Sequence, residues 1–413
     1  MPATIITNIK QLVNTREENK LLRGKELSIL PCVQDAYLVI ENGIIAEYGP
    51  MDELPWTDPS NDEVIDAGGQ FVLPTWCDSH THLVFAASRE EEFIDKLQGK
   101  TYAEIAAKGG GILNSANKIA EATELELIRS AWGRLQELIQ LGTGAIEIKS
   151  GYGLTVESEI KMLRVIRRLK ETSPIPVKAT FLGAHTYPLA YKDNHQGYID
   201  LIINEMLPII AREKLADYID VFCENGFFSA EETAVICEAG MSHGLKPKIH
   251  ANQLNLSGGT QVGVKLGAVS VDHLETMDED AIQTLATSST IGTLLPTAAF
   301  FLRMPFQPAR RLIDAGCAIA LATDFNPGSS PSGNMNLVVS MSCIQMKMLP
   351  EEAINAATLN GAYAMEMQDE LGSITRGKKA NLILTKPIPS LAYIPYAFGS
   401  NLIERVMING EWV

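Results

Sequence analysis

At 413 residues, 46% apolar and 20% charged, the chain has a globular composition and is long enough for one large domain plus a smaller one. Its net charge of −16 argues against nucleic acid or an anionic membrane as partner, and any anionic substrate would need its own local cation. No apolar run approaches membrane-spanning length, and Met1–Asn19 lacks the basic start and apolar core of a secretory signal. Six cysteines, at 32, 77, 223, 237, 317 and 343, include no Cys-x-x-Cys pair. They read as reduced core thiols of a cytoplasmic protein rather than disulfides or a zinc knuckle.

Residues 1–68 contain short strand-like pieces, such as Ala36–Gly43 and Val64–Gly69, with Glu41-Asn42-Gly43 as a tight hairpin turn. The far end is alike: Ala380–Thr385 and Ile403–Val413 read as strands, the second turning at Asn409-Gly410. These two ends, 1–68 and 376–413, are expected to form one small β-sandwich domain. Between them, 69–375 alternates. Apolar strands are expected at 71–77, 145–149, 176–183, 218–224, 246–251, 269–274, 290–296 and 318–324. Amphipathic stretches such as 124–141, 156–171, 230–243 and 278–286 separate some of them. An α/β fold, a closed (β/α)8 barrel of the TIM type, follows. An open doubly wound sheet is the alternative, but Gly142-Thr-Gly144 has Glu147 where its glycine fingerprint needs a third glycine. The near-match to a phosphate loop at Gly372–Lys379 ends in lysine and precedes a strand, so it reads as a solvated turn.

Polar residues recur where such a barrel carries its chemistry, at the C-terminal ends of the strands. His80 and His82 follow the first strand, with Asp78 behind them as a support. His185 follows the third strand, His250 closes the fifth, His273 the sixth and Asp324 the eighth. Residues two apart on an extended segment point the same way, so His80 and His82 can share an ion. Only His195 and His243 fall outside this set. Three imidazoles and a carboxylate, His80, His82, His250 and Asp324, suit one divalent or trivalent metal ion, Zn or Fe. Such an ion lowers the pKa of bound water to about 7.

This pattern resembles the amidohydrolase superfamily, and the resemblance covers the whole chain, including the β-domain made from both ends. Binuclear members carry a lysine at the end of the fourth strand. Here that strand ends Phe222-Cys-Glu224, so one metal is expected. Longer stretches narrow the likeness: Thr81–Phe93, Gly99–Tyr102 with Gly109–Leu113, Lys149–Leu154, Phe181–His185 and Ala322–Pro331. Together they resemble the imidazolonepropionase family, hydrolases of histidine degradation. The resemblance implies opening of the 4-imidazolone-5-propanoate ring by water, giving N-formimidoyl-L-glutamate, and a homodimer.

It also implies that Arg89 binds the propanoate, which arginine can grip bidentately. By the same likeness Tyr102, Tyr152, His185, Gln253, Asn326, Gly328 and Ser329 line the pocket. Many related deaminases carry glutamate at the position of Gln253, and glutamine can hydrogen-bond a ring but cannot take its proton. Acid–base work then falls to Asp324, with His273 orienting water or stabilising the oxyanion. The rival reading is another mononuclear amidohydrolase, such as a heterocycle deaminase. The glycine run 109–111 reads as a helix-start turn rather than a lid.

Overall fold

The computed structural model describes residues 3–54, 62–100 and 110–413. Eight parallel strands form the barrel: Trp76–Thr81, Thr143–Lys149, Val177–Ala184, Tyr218–Cys223, Lys246–Ala251, Ser270–His273, Ile291–Leu294 and Ile319–Leu321. They pair in sequence order. The ring closes where Asp324 N donates to His80 O (2.9 Å) and His82 N to Phe325 O (2.8 Å). Closure therefore runs through three of the expected site residues themselves.

The helices form where the apolar spacing placed them, at Glu124–Gln140, Val156–Thr172, Ala230–Ser242 and Glu279–Ala286. Side-chain caps start each of them: Thr123, Thr155, Ser229 and Asp278 accept from backbone N–H groups that the first turn leaves unpaired. Among the described residues, no helix is long and apolar enough to cross a membrane.

Both chain ends build a second, separate sheet, in the order 411–412, 403–408, 382–385, 71–74, 4–13, 32–41, 44–50, with 63–66 also paired to 4–13. Ala380 ties its two hairpin tips together, donating from N to Gly43 O at 2.8 Å and accepting at O from Gly410 N at 3.1 Å. Ile6, Ile9, Leu12, Leu38, Ile40, Leu382, Leu384 and Met407 are packed in its core.

The stretch 71–77 departs from the single strand its apolar run implied. Phe71–Pro74 pairs with the terminal strands, and the barrel strand begins only at Trp76. Pro74 lacks an N–H for a continuing ladder. At Thr75 the chain changes sheets: Thr75 N donates to Asn381 O (3.1 Å), whereas Trp76 N donates to Gly142 O (2.9 Å) in the barrel.

The Gly372–Lys379 turn is not solvated either. Lys378 is buried and donates to Leu371 O (2.9 Å) and Ser373 Oγ (2.8 Å). Burial pushes its ammonium down to about 8, against the opposing charges of Cys77 and Asp369. An unfolded lysine titrates near 10.4, so between about pH 8 and 10.4 the unfolded chain binds the extra proton and stability rises with pH. Lys378→Met should lose this increment, read as a smaller gain in urea midpoint than wild type between about pH 7 and 9.5.

Candidate active site

The barrel strands bring His80, His82, His250, His273 and Asp324 together, all of them buried. His80 lies near the end of the first strand and His82 just beyond it. His250 and His273 come from the neighbouring fifth and sixth, and Asp324 arrives from beyond the eighth. His82 Nε2 and His250 Nε2 stand 3.5 Å apart. His80 Nε2 and His82 Nε2 each lie 3.5 Å from Asp324 Oδ1. The ligand atoms of His80, His82 and His250 fall within 4.8 Å of one another, as do those of His80, His273 and Asp324. His273 (φ +87°) and Asp324 (φ +53°) both adopt left-handed backbone, a cost found where a functional geometry is over-determined.

Protonation supports a cation at this point. His80 Nδ1 meets Asp272 Oδ2 at 2.6 Å and His250 Nδ1 meets Asp220 Oδ2 at 3.0 Å. Asp272 holds the ring proton of His80 on Nδ1 and leaves its Nε2 as a lone pair, while Asp220 stands beside His250 Nδ1 at ion-pair distance without a formed hydrogen bond. Burial, together with Lys149 and the neighbouring histidines, holds the His80 imidazole far below its ordinary pKa, and burial beside His185 does the same for His82. His80 Nε2 is buried without a hydrogen-bond partner. Imidazole nitrogens and a carboxylate oxygen facing one another repel unless a cation or proton lies among them, so the donor set fits a metal ion. Glu224, at the end of the fourth strand, is turned away from this centre: it accepts from Leu254 N (2.8 Å) and Asn255 N (3.3 Å).

Asp78 accepts from the backbone N–H of His80 and does not meet the imidazoles. Its carboxylate accepts from Thr323 N (3.0 Å) and Thr323 Oγ1 (2.7 Å), which fixes the residue before Asp324. Its support also reaches the centre through the eighth strand.

A cavity of about 680 Å³ opens over the cluster, lined by Arg89, Tyr152, His185, Gln253, Asn326, Gly328 and Ser329 as well as His82, His250, His273 and Asp324. Tyr102 lies outside the described residues, as does Gly109. Gly111, at φ +85°, precedes the helix Ile112–Glu121, and its N–H donates to Glu92 Oε1 at 2.9 Å. Asn326 shapes the loop: its Oδ1 accepts from Gly328 N and Ser329 N, both at 2.8 Å, and its Nδ2 donates to Asp324 O at 2.7 Å. His185 Nδ1 lies 3.0 Å from Gly151 O, which leaves Nε2 as an acceptor, and burial pushes its pKa down to about 3.

Three features escaped the sequence reading. Arg89 donates through Nε (2.9 Å) and Nη2 (2.7 Å) to Glu92, so its charge is already partly matched. Lys96 lines the same wall, one helical turn beyond Glu92, and Arg303 and the stacked pair Phe93–Phe301 are also at the cavity. Beneath the histidines lies a buried charge cluster of Glu147, Lys149, Asp220, Lys248 and Asp272. Charges two apart on apolar strands, as in Glu147-Ile-Lys149, were the available signal for it.

Gly328 leaves room for Arg89. A Cβ at this position would stand 2.2 Å from Arg89 Nη1. Gly328→Ala should displace the guanidinium and raise KM for a carboxylate-bearing substrate by about tenfold, the worth of one charge-assisted hydrogen bond. Steady-state kinetics check this, with kcat and the unfolding midpoint nearly unchanged.

The chain belongs to the amidohydrolase family, whose model matches residues 71–413. A Flavobacterium johnsoniae protein named imidazolonepropionase is 58% identical over 409 residues, covering 99% of each chain. Within the family, this chain falls among the imidazolonepropionases. Among solved structures, E. coli guanine deaminase superposes with a TM-score of 0.73 at 14% identity, over 100% of this chain and 99% of that one. A zinc-bound adenosine deaminase from Xanthomonas campestris gives 0.68 at 16%, over 99% and 92%. At such identities the likeness is one of fold alone.

Proposed function

We propose that this enzyme opens the ring of 4-imidazolone-5-propanoate with water to give N-formimidoyl-L-glutamate, a step of histidine degradation. The observation that carries the reading is the pair of buried triads that share His80, namely His80–His82–His250 and His80–His273–Asp324, at a cavity whose wall bears Arg89, in a chain 58% identical to a named imidazolonepropionase.

His80, His82, His250 and Asp324 would hold one Zn or Fe ion; zinc is bound in the adenosine deaminase of like fold. When bound, the ion supplies Lewis acidity and an acidified water. Asp324 is the proton carrier. Burial raises its carboxyl above the ordinary aspartate range in the metal-free protein, and a carboxylate at the centre is placed both to take and to return a proton. It takes the proton of the attacking water as the carbon–oxygen bond forms. It returns that proton to the ring nitrogen as the carbon–nitrogen bond breaks.

Burial works to deprotonate His273, but Glu275, 3.4 Å away, together with Asp324 and Asp272 raises its pKa above that of an ordinary histidine. It donates a hydrogen bond to the oxygen on which negative charge develops. His185 accepts from a ring N–H, and Gln253 orients the ring without exchanging a proton. Arg89 grips the propanoate, assisted by Lys96. Tyr152 packs against His82 and His185, with ring centroids 5.7 and 5.4 Å away.

The decisive test follows loss of imidazolone absorbance before and after chelation, with metal analysis on the same sample. Turnover with close to one ion per chain, lost on chelation and restored by Zn or Fe, is expected. Ammonia release from aminopurines without imidazolone turnover would overturn the reading. The wider reading is a cytoplasmic homodimer. Six free cysteines support the compartment, and light scattering at twice the chain mass tests the assembly.

A further inference from the structure

Lys149 is wholly buried on the second barrel strand, and no step of the proposed reaction uses it. Its Nζ lies 2.6 Å from Glu147 Oε1, 2.8 Å from Asp220 Oδ2 and 3.6 Å from Asp272 Oδ2. The last two oxygens are those that meet the Nδ1 atoms of His250 and His80. The other oxygen of each carboxylate is held locally: Asp220 Oδ1 by His250 N (3.1 Å) and Asp272 Oδ1 by Ser270 Oγ (2.6 Å). Each aspartate thus has one oxygen fixed by a neutral donor and one shared between an imidazole and the same ammonium.

We propose that Lys149 is a positioning residue for the metal centre, its single charge aiming both Asp220 and Asp272 at the Nδ1 atoms of His250 and His80. A cation is the economical way to seat two carboxylates in one dry interior, because unpaired each would turn toward any other donor or draw in water. With their Nδ1 partners fixed, the two rings present their Nε2 lone pairs to the same point. Lys248, the other cation of this cluster, meets Glu147 and Ser79 O (3.2 Å). Neither group touches a histidine, so this role falls to Lys149. The inference rests on the metal reading above.

The test measures zinc affinity by competition with a chromophoric chelator in wild type, Lys149→Met and the double variant Glu147→Gln/Lys149→Met. The double variant restores the cluster's formal charge while leaving no cation between the two aspartates. Circular dichroism and unfolding of the metal-free proteins report the fold. Zinc should bind about 10- to 100-fold more weakly to both variants, the usual cost of losing a group behind a metal ligand, with the double variant folded like wild type. Wild-type zinc affinity in a folded double variant would overturn the inference while leaving the metal reading intact. So would failure of both variants to fold, which would make Lys149 a purely structural residue. No zinc or iron bound by wild type would overturn the metal reading itself, and this inference with it.

Discussion

Asp324→Ala and His80→Ala should each lower kcat/KM for imidazolonepropionate by on the order of 10³-fold or more, since each removes a ligand and Asp324 also carries the proton. The two should differ in a second readout. His80 leans on Asp272 at 2.6 Å, so its loss leaves that buried carboxylate short of a partner and lowers thermal stability as well as metal content. Asp324 accepts at Oδ2 from Ser329 Oγ at 3.3 Å, a weaker tie. Asp324→Asn keeps the side chain's shape but not its basicity. It should retain more metal than Asp324→Ala yet remain nearly as inactive. An Asp324→Asn enzyme with wild-type kcat would remove Asp324 from the proton path.

Arg89→Ala should raise KM for the propanoate-bearing substrate by on the order of 10²-fold, as expected for truncating one partner of a desolvated charge pair. It also leaves Glu92, buried and otherwise held by Gly111 N–H and Asn114, as an unmatched anion on the cavity wall. That anion repels the substrate's carboxylate. Removing it together with the arginine, in Arg89→Ala/Glu92→Gln, should recover part of the loss. An imidazolone lacking the acidic tail should bind wild type and Arg89→Ala alike, and a competition assay compares them directly. Equal losses for both substrates would make Arg89 a scaffold residue rather than a recognition residue.

The main architecture was legible because strand-end chemistry repeats. Each of His80, His185, His250, His273 and Asp324 follows an apolar run, and a parallel barrel puts all such ends on one face. What sits behind the ligands was harder to read. Asp272 reaches His80 across 192 residues of chain, and Lys149 reaches Asp220 across 71; no local pattern announces such pairs. The switch of sheets at Thr75 was hidden for a different reason. Phe71–Pro74 and Trp76–Cys77 are equally apolar and equally buried, so hydropathy could not separate them. The clamp role of Arg89 follows from the resemblance alone, and with residues 90–92 all acidic the sequence does not say which carboxylate meets it. Geometry selects Glu92, three residues on, as the one that meets the guanidinium.

The placement of Phe71–Pro74 between 4–13 on one side and 382–385 on the other bears on how the polypeptide is made. A chain leaving the ribosome cannot finish that sheet until its last segments emerge, nor bring Asp324 to the imidazoles until most of the barrel has been synthesised. Through that interval the early strands expose apolar faces whose partners do not yet exist, so newly made chains depend on slow, long-range closure and on protection from self-association.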